Sequence, residues 1–262
     1  MIRKSVRRLL EMVLEKTDYH LVPKGASGGE HAAFVDHLST LLRTLHIDCV
    51  FDVGANRGGF RHFMRTEVGY DGLIFSFEPV SHLAEVILAA SASDPSWHTF
   101  HLAIGDVAGM MPINVTRNDQ LSSFLRPSSA ATDWFAEMSS VDHVEDATVR
   151  TLADVYAELQ ATHGFKRPYL KIDTQGFDLK VIRGAGEYLA RFLAMQTELC
   201  IIPIYEEQPT YAHVLDLLNQ AGFAISGMYP VVRDPLLRIV ELDCVLVQDV
   251  SPRLHQGEPE GA

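Results

Sequence analysis

The 262-residue sequence holds only three cysteines, and Cys49, Cys200 and Cys244 stand far apart, each inside an apolar run. An odd number without metal-ligand spacing speaks against a disulfide framework and reads as buried thiols in a reducing compartment. Also missing is any apolar run approaching the roughly 18 residues of a membrane span. Basic residues are outnumbered, 22 Lys and Arg against 34 Asp and Glu, for a formal net charge of −12. That balance argues against broad nucleic-acid binding. What is present is 47% apolar residues, ample for the core of one large domain or a domain with an extension, expected in the cytoplasm.

The N-terminus carries Arg3, Lys4, Arg7 and Arg8 but no sustained apolar region or small-residue cleavage site, so it is not read as a secretion signal. Ile2, Val6, Leu9, Leu10, Val13 and Leu14 recur at helical spacing. They predict an amphipathic helix packed on the domain or on a second subunit of a homo-oligomer. Pro23–Glu30 reads as a loop. Residues 1–29 are thus a helical extension and loop, 30–250 the main domain, and 251–262 a polar tail expected to be disordered.

Cys49–Val53 (CVFDV) is a short apolar run closed by Gly54, the pattern of a buried parallel strand. Gly54, Gly58 and Gly59 follow in one tight turn, where glycine permits positive φ and close approach of a ligand to bare backbone. A helix expected from Gly59 onward would leave free N–H groups pointing out of the turn toward a polar or anionic group. The spacing Asp-x-Gly-x-Asn-x-Gly-Gly does not fit the dinucleotide pattern G-x-G-x-x-G. Asp52 precedes the first glycine by two residues, and its carboxylate would repel a pyrophosphate and attract the ammonium of an amino-acid tail. That sign favours S-adenosyl-L-methionine over NAD, with Asp52, Gly54, Asn56 and Gly58 as contacts.

Gly72–Pro79 (GLIFSFEP) reads as a second buried strand ending in Glu78 and Pro79. In a doubly wound sheet, ligands bind outside the carboxyl ends of the strands, where Glu78 can accept both hydroxyls of a ribose. Trp97–Ile104 reads as a third strand that brings Ala103 and Ile104 beside an adenine. Met111–Thr116 suggests a short hairpin strand, Asn118–Ser129 a loop over the site, Thr132–Ser140 a lid helix, and Val144–Leu152 the approach to a helix over Leu152–His163. Pro168–Asp178 (PYLKIDTQGFD) is a fourth strand whose apolar pattern Lys171 and Asp173 interrupt, followed by a turn at Gly176 and a helix ending near Gly184 and Gly186. Asp173 is placed for chemistry, and Asp178 suits a helix first turn. Phe192–Leu199 is a fifth strand bearing Glu198, and a loop bearing Tyr205 follows. Phe223–Tyr229 and Arg238–Val247 should form an antiparallel hairpin. Ser122, Ser123 and Tyr205 suit a hydroxyl-rich substrate.

In order, FDVGANRGGF, FEP, LAIGD, LSSF, RTLAD, YLKIDTQGFDLKVIRGA and TELCIIPIY resemble the motifs of the FkbM family of methyltransferases, over roughly residues 45–250. The resemblance implies an α/β, Rossmann-like class I methyltransferase fold. Its mostly parallel sheet would have seven strands in the order 3-2-1-4-5-7-6, the last antiparallel. The resemblance also implies O-methylation of a hydroxyl on a sugar or glycosylated metabolite, glycolipid or polysaccharide. Asp178 stands where the family commonly has Glu, and Asp154 falls one position late in RTLAD.

Such a transfer needs the acceptor oxygen about 3–3.5 Å from the methyl and in line with sulfur, and a group to take its proton. Asp173 is the candidate base or orienting group, with Glu198 as its companion. A carboxylate with a pKa of about 4 is a weak base toward an alcohol. A divalent metal held by Asp173, Glu198 and Asp178 could therefore assist, but it is not expected. A nucleotide-binding oxidoreductase and a non-catalytic S-adenosylmethionine-binding module are the competing readings.

Overall fold

The computed structural model describes residues 26–128 and 140–249. The expected N-terminal helix and tail lie outside them, as does the expected lid helix apart from Ser140. The described chain opens with α1 (Ala26–Thr44), which begins inside the stretch expected to be a loop. Phe34, Leu38 and Leu42 fall four residues apart on it and are buried, the stripe of a helix packed on a core.

There follow β1 (Cys49–Val53), α2 (Gly59–Phe63), which runs on as a π-helical turn, β2 (Leu73–Phe77), α3 (Ser81–Ser91), β3 (Trp97–Phe100) and β4 (Ala103–Gly105). Next come β5 (Gly109–Thr116), β6 (Val141–Thr151), α4 (Leu152–His163), β7 (Pro168–Ile172), α5 (Asp178–Gly184) and β8 (Ala194–Cys200). The last elements are α6 (Tyr211–Gln220), β9 (Phe223–Arg233) and β10 (Ile239–Gln248). Seven strands form one sheet in the order β3-β2-β1-β7-β8-β10-β9. Numbered within that sheet, this is 3-2-1-4-5-7-6. β10 runs antiparallel to both its neighbours while the first five strands are parallel.

β1 lies at the centre and is buried at every position. Because side chains alternate along a strand, Cys49, Phe51 and Val53 enter the core under α4, while Val50 enters the one under α1. Phe51 is the hub of the first, with the rings of Phe75, Tyr156, Phe165 and Phe192 at 5.5, 5.8, 5.5 and 5.3 Å. Burying one such ring contributes roughly 1.5–3 kcal/mol. The pairing registers also set polar residues side by side across five strands: Thr99, Ser76, Asp52, Lys171 and Gln196.

Two further stretches differ from the sequence expectation. Trp97–Ile104 is two strands, since a turn from the Phe100 carbonyl to the Leu102 N–H sends β4 into a second, three-stranded sheet of order β4-β6-β5. The approach to α4 is itself a strand, β6, paired antiparallel with β5 and parallel with β4. Its side chains are mostly exposed, so it lacks the apolar alternation that marks a half-buried strand. Thr151 caps α4 by accepting the N–H of Asp154 and donates its hydroxyl to the Asp154 carboxylate at 2.7 Å, so that aspartate serves the helix start.

α5 closes on β4 through bare backbone. A Cβ on Gly184 would stand 1.9 Å from the Gly105 carbonyl oxygen. Gly184→Ala should therefore destabilise the protein by about 1–3 kcal/mol through overpacking, lowering the urea midpoint at constant slope. An unchanged midpoint would mean that α5 can move away freely.

Candidate functional site

The carboxyl ends of β1, β2, β7 and β8 open into a cavity of about 930 Å³, within the range of ligand-binding clefts. Gly54, Asn56, Glu78, Pro79, Ala103, Ile104, Ser122, Ser123, Asp173 and Glu198 all line it. Asp52, Gly58 and Tyr205, expected to contact ligands, do not.

The glycine turn is closed by its own hydrogen bonds. The N–H groups of Gly54 and Ala55 donate to the Phe77 carbonyl at 3.0 and 3.1 Å, and that of Gly58 donates to Ala55 at 2.8 Å. The N–H of Asn56 donates to Glu78 Oε2 at 2.7 Å, and that of Arg57 to Asn56 Oδ1 at 2.8 Å. No main-chain N–H of Gly54–Gly58 is left free to cradle a phosphate. The glycines also answer to the protein. A Cβ on Gly54, at φ +80°, would lie 1.9 Å from the Asp173 carbonyl oxygen. One on Gly58 would lie 2.9 Å from the Trp97 ring. Gly54→Val would thus damage the fold first and is no clean probe of ligand binding.

Asp52 is fully buried. Its Oδ2 accepts from Ser76 Oγ at 2.8 Å, and its Oδ1 stands 3.2 Å from Lys171 Nζ. An incoming ammonium meets no free carboxylate there, because the protein supplies its own. Lys171 Nζ also donates to the Gly54 carbonyl at 2.9 Å and lies 3.4 Å from Asp173 Oδ2. Burial works against its charge, but the Asp173 and Asp52 carboxylates outweigh it and hold the ammonium above the usual lysine range.

Glu78 sits at the other end of the turn, 4% exposed. Its two oxygens accept the N–H groups of Asn56 and Val80 at 2.7 and 2.9 Å. Burial pushes its carboxyl up to about 7 against the pull of these donors.

The Asp173 side is acidic. The Asp173 side chain is 38% exposed. Asp243 on β10 is the register partner of Glu198 on β8, and Glu241 lies two residues earlier on the same strand. Because β10 runs antiparallel, its beginning meets the carboxyl edge of β8 and delivers two acids there. Burial, then Asp173 and Glu241, raise Glu198 well above the carboxylate range. Burial also lifts Glu241 to about 7 and Asp243 to about 6. Asp178 faces away, holding the turn through the N–H groups of Thr174 and Gly176 at 3.4 and 3.2 Å. Burial and Asp173 raise it to about 6. Among the described residues, no group of three or more His, Cys, Asp or Glu could hold a metal ion.

The loop above is pinned to the turn. Asn56 Nδ2 donates to the Asp119 carbonyl at 3.0 Å, and Arg57 pairs with the Asp119 carboxylate. Ser122 and Ser123 reach the cavity with occupied hydroxyls. Ser122 Oγ accepts from the Thr116 N–H at 3.2 Å, and Ser123 Oγ donates to the Gln175 carbonyl at 2.7 Å. Tyr205 is buried behind them, its hydroxyl 2.9 Å from Gln175 Oε1 and 3.0 Å from the Leu121 carbonyl.

Lys171, Gln175, Glu241 and Asp243 were not assigned to the site from the sequence. A charge inside an apolar strand marked Lys171, Glu241 and Asp243. Nothing local marked Gln175.

A family model described as Methyltransferase FkbM domain matches residues 52–225. No curated protein matches the chain. Among solved structures it is similar to methyltransferase FkbM from Methylobacillus flagellatus KT, with 13% identity and a TM-score of 0.46 over 77% of this chain and 43% of that one. The chain therefore spans less than half of that protein's length. It is also similar to Aeropyrum pernix fibrillarin in complex with S-adenosyl-L-methionine, with 14% identity and a TM-score of 0.42, over 76% of this chain and 66% of that one. Magnesium protoporphyrin IX methyltransferase from Synechocystis PCC 6803 with bound SAH matches at 10% identity and a TM-score of 0.43, over 94% and 99%.

The raised carboxyls have a consequence for stability. Glu78, Asp178, Glu198, Glu241 and Asp243 all titrate higher in the folded protein than their ordinary 3.8 or 4.5. The folded state then binds protons that the unfolded chain has released. The contribution is full below about pH 4 and is lost as pH rises through about 6 for Asp178 and Asp243, about 7 for Glu78 and Glu241, and later for Glu198. His37 and His98, lowered by burial, act the other way below 6.5. The ligand-free protein should melt higher at pH 6.5 than at pH 8 in a thermal-shift series, and a flat or falling trend toward pH 6.5 would contradict this electrostatic picture.

Proposed function

The chain belongs to the FkbM methyltransferase family, and from that footing we propose an S-adenosylmethionine-dependent O-methyltransferase acting on a hydroxyl of a sugar or glycosylated molecule. The supporting observation is the division of one cavity between two carboxylates in opposite surroundings. Glu78 is buried without an ion-pair partner, and Asp173 is partly exposed and paired with Lys171.

The donor fits the Glu78 end. Each Glu78 oxygen receives one backbone N–H and keeps acceptor capacity. Two ribose hydroxyls would add the donors that its burial withholds. Phe77, Ala103 and Ile104 offer an apolar wall for a base. The consumed N–H groups of the turn suit a ligand without a pyrophosphate, which disfavours a dinucleotide. When bound, S-adenosylmethionine supplies a methyl group activated by its sulfonium.

The acceptor side belongs to this chain's acids and amides. Asp173 orients the hydroxyl and takes up its proton, with Lys171 holding the carboxylate in place. Glu198, Glu241, Asp243 and Gln196 line the same floor and supply hydrogen-bond partners for a molecule with several hydroxyls. Calorimetry with S-adenosylhomocysteine and NAD tests the donor class. A labelled methyl donor offered with glycans and glycolipids tests the acceptor class.

Removing the Glu78 carboxylate in Glu78→Ala should cost about 1.5–3 kcal/mol of hydrogen bonding, a loss of tenfold or more in S-adenosylhomocysteine affinity. A folded variant with parental binding would sink the assignment. Asp173→Asn should keep that affinity within a few-fold while turnover drops by about 10²–10⁴. A near-parental rate would reduce Asp173 to a structural turn residue.

A further inference from the structure

The turn after β7 carries an amide to which the chemistry above gives no part. Gln175 stands at φ +52°, a region that few non-glycine residues adopt. Its Nε2 donates to Asp173 Oδ1 at 3.2 Å and to Glu198 Oε2 at 2.8 Å. A side-chain amide nitrogen has two N–H donors, and here each serves one carboxylate. Its Oε1 lies 2.9 Å from the buried Tyr205 hydroxyl, whose single proton it shares with the Leu121 carbonyl at 3.0 Å, and its main-chain carbonyl accepts from Ser123 at 2.7 Å.

The orientation of the amide follows from these partners. Turned over, it would aim its oxygen at two carboxylates. As it stands, the nitrogen faces both acids and the oxygen faces the Tyr205 hydroxyl. Asp173 opposes the ionisation of Glu198, and without a shared donor nothing else among these contacts links the two side chains. A neutral group donating to both lets them stay together at a set separation. The backbone link to Ser123 carries the same residue into the loop over the cavity.

We propose that Gln175 is a positioning residue for methyl transfer: its amide spaces Asp173 and Glu198, aims both carboxylates at the acceptor, and joins them through Ser123 and Tyr205 to the covering loop. This rests on the methyltransferase reading. Lys171 on β7, Glu241 and Asp243 on β10, and Asp178 on α5 are the charged groups around the pair, and the variants below leave them untouched.

Asn tolerates positive φ better than Gln, so Gln175→Asn keeps the turn while its shorter side chain cannot reach both acids. Gln175→Glu keeps the length and puts an acceptor where the donors were. Each variant is compared with the parent by melting temperature, by calorimetry with S-adenosylhomocysteine, by carboxyl ¹³C NMR titration of the protein alone, and by turnover on the glycan or glycolipid that the labelled-donor screen identifies. For Gln175→Asn we expect an undiminished melting temperature and S-adenosylhomocysteine affinity within about threefold, with kcat lower by on the order of 10² through misplacement of the reacting groups. Glu198 should titrate at higher pH, because its charged form has lost a donor. Gln175→Glu should lose turnover to at least the same degree, and Tyr205→Phe, which frees the amide, should lose less. Parental carboxyl titration in both Gln175 variants, or parental turnover in both, would overturn the proposal and leave Gln175 a turn residue. If the parent binds no S-adenosylhomocysteine, the methyltransferase reading fails instead, and the titration still decides whether Gln175 holds the two acids.

Discussion

One buried ammonium ties the centre of the sheet to the rim of the cavity. Lys171 lies between Asp52 and Asp173 and donates to the Gly54 carbonyl. Taking a charged lysine out of water is costly, and removing a partner from such a pair typically costs 3–5 kcal/mol because the remaining charge is stranded. The fully buried Asp52 is the partner whose loss would strand that charge, while the partly exposed Asp173 shares its second side with solvent. The arrangement locks the end of β1 to the end of β7, which is why Gly54 can carry no Cβ, and it sets Asp173 at the cavity edge. Ser76 and Trp97 extend the same support, since Trp97 Nε1 donates to Ser76 Oγ at 2.9 Å and Ser76 donates to Asp52.

The acids of the cavity divide according to surroundings, and that division is the basis of the functional reading. Glu78 has two backbone donors and only the more distant charge of Lys171, so burial favours its neutral form. Asp173 has a lysine, an amide and access to water. Two carboxylates with separate environments can take separate tasks. Crowding Glu198, Glu241 and Asp243 onto one floor opposes folding near neutral pH. The apolar clusters on both faces of the sheet offset it, and strain of this kind characteristically collects at functional sites.

Much of the main sheet was legible in the sequence because each central strand is buried on both faces and so reads as a short apolar run ended by Gly, Glu or Asp. Glu78 and Asp173 stood out for the same reason, as charges at the ends of such runs. β6 was not legible. Its side chains are mostly exposed, and its strand character comes from pairing with β4 and β5, which lie distant in sequence. The break between β3 and β4 was hidden because both halves are apolar while their partners belong to different sheets.

By itself, the sequence marked the central strands, the glycine turn, and the acids Glu78 and Asp173 at strand ends, which depend on local apolar pattern and backbone freedom. The strand order came through the resemblance to the FkbM family. Only the tertiary structure decided what each polar group meets. Asp52 went to Lys171 because parallel register sets residues 52 and 171 side by side across adjacent strands. Gly58 met Trp97, and Tyr205 turned inward to Gln175. Glu241 and Asp243 joined the cavity because an antiparallel strand returns its beginning to the edge where the parallel strands end. Hydrogen bonds between residues far apart in sequence leave no periodicity to read, so the wiring of the site, unlike its framework, exists only once the chain has folded.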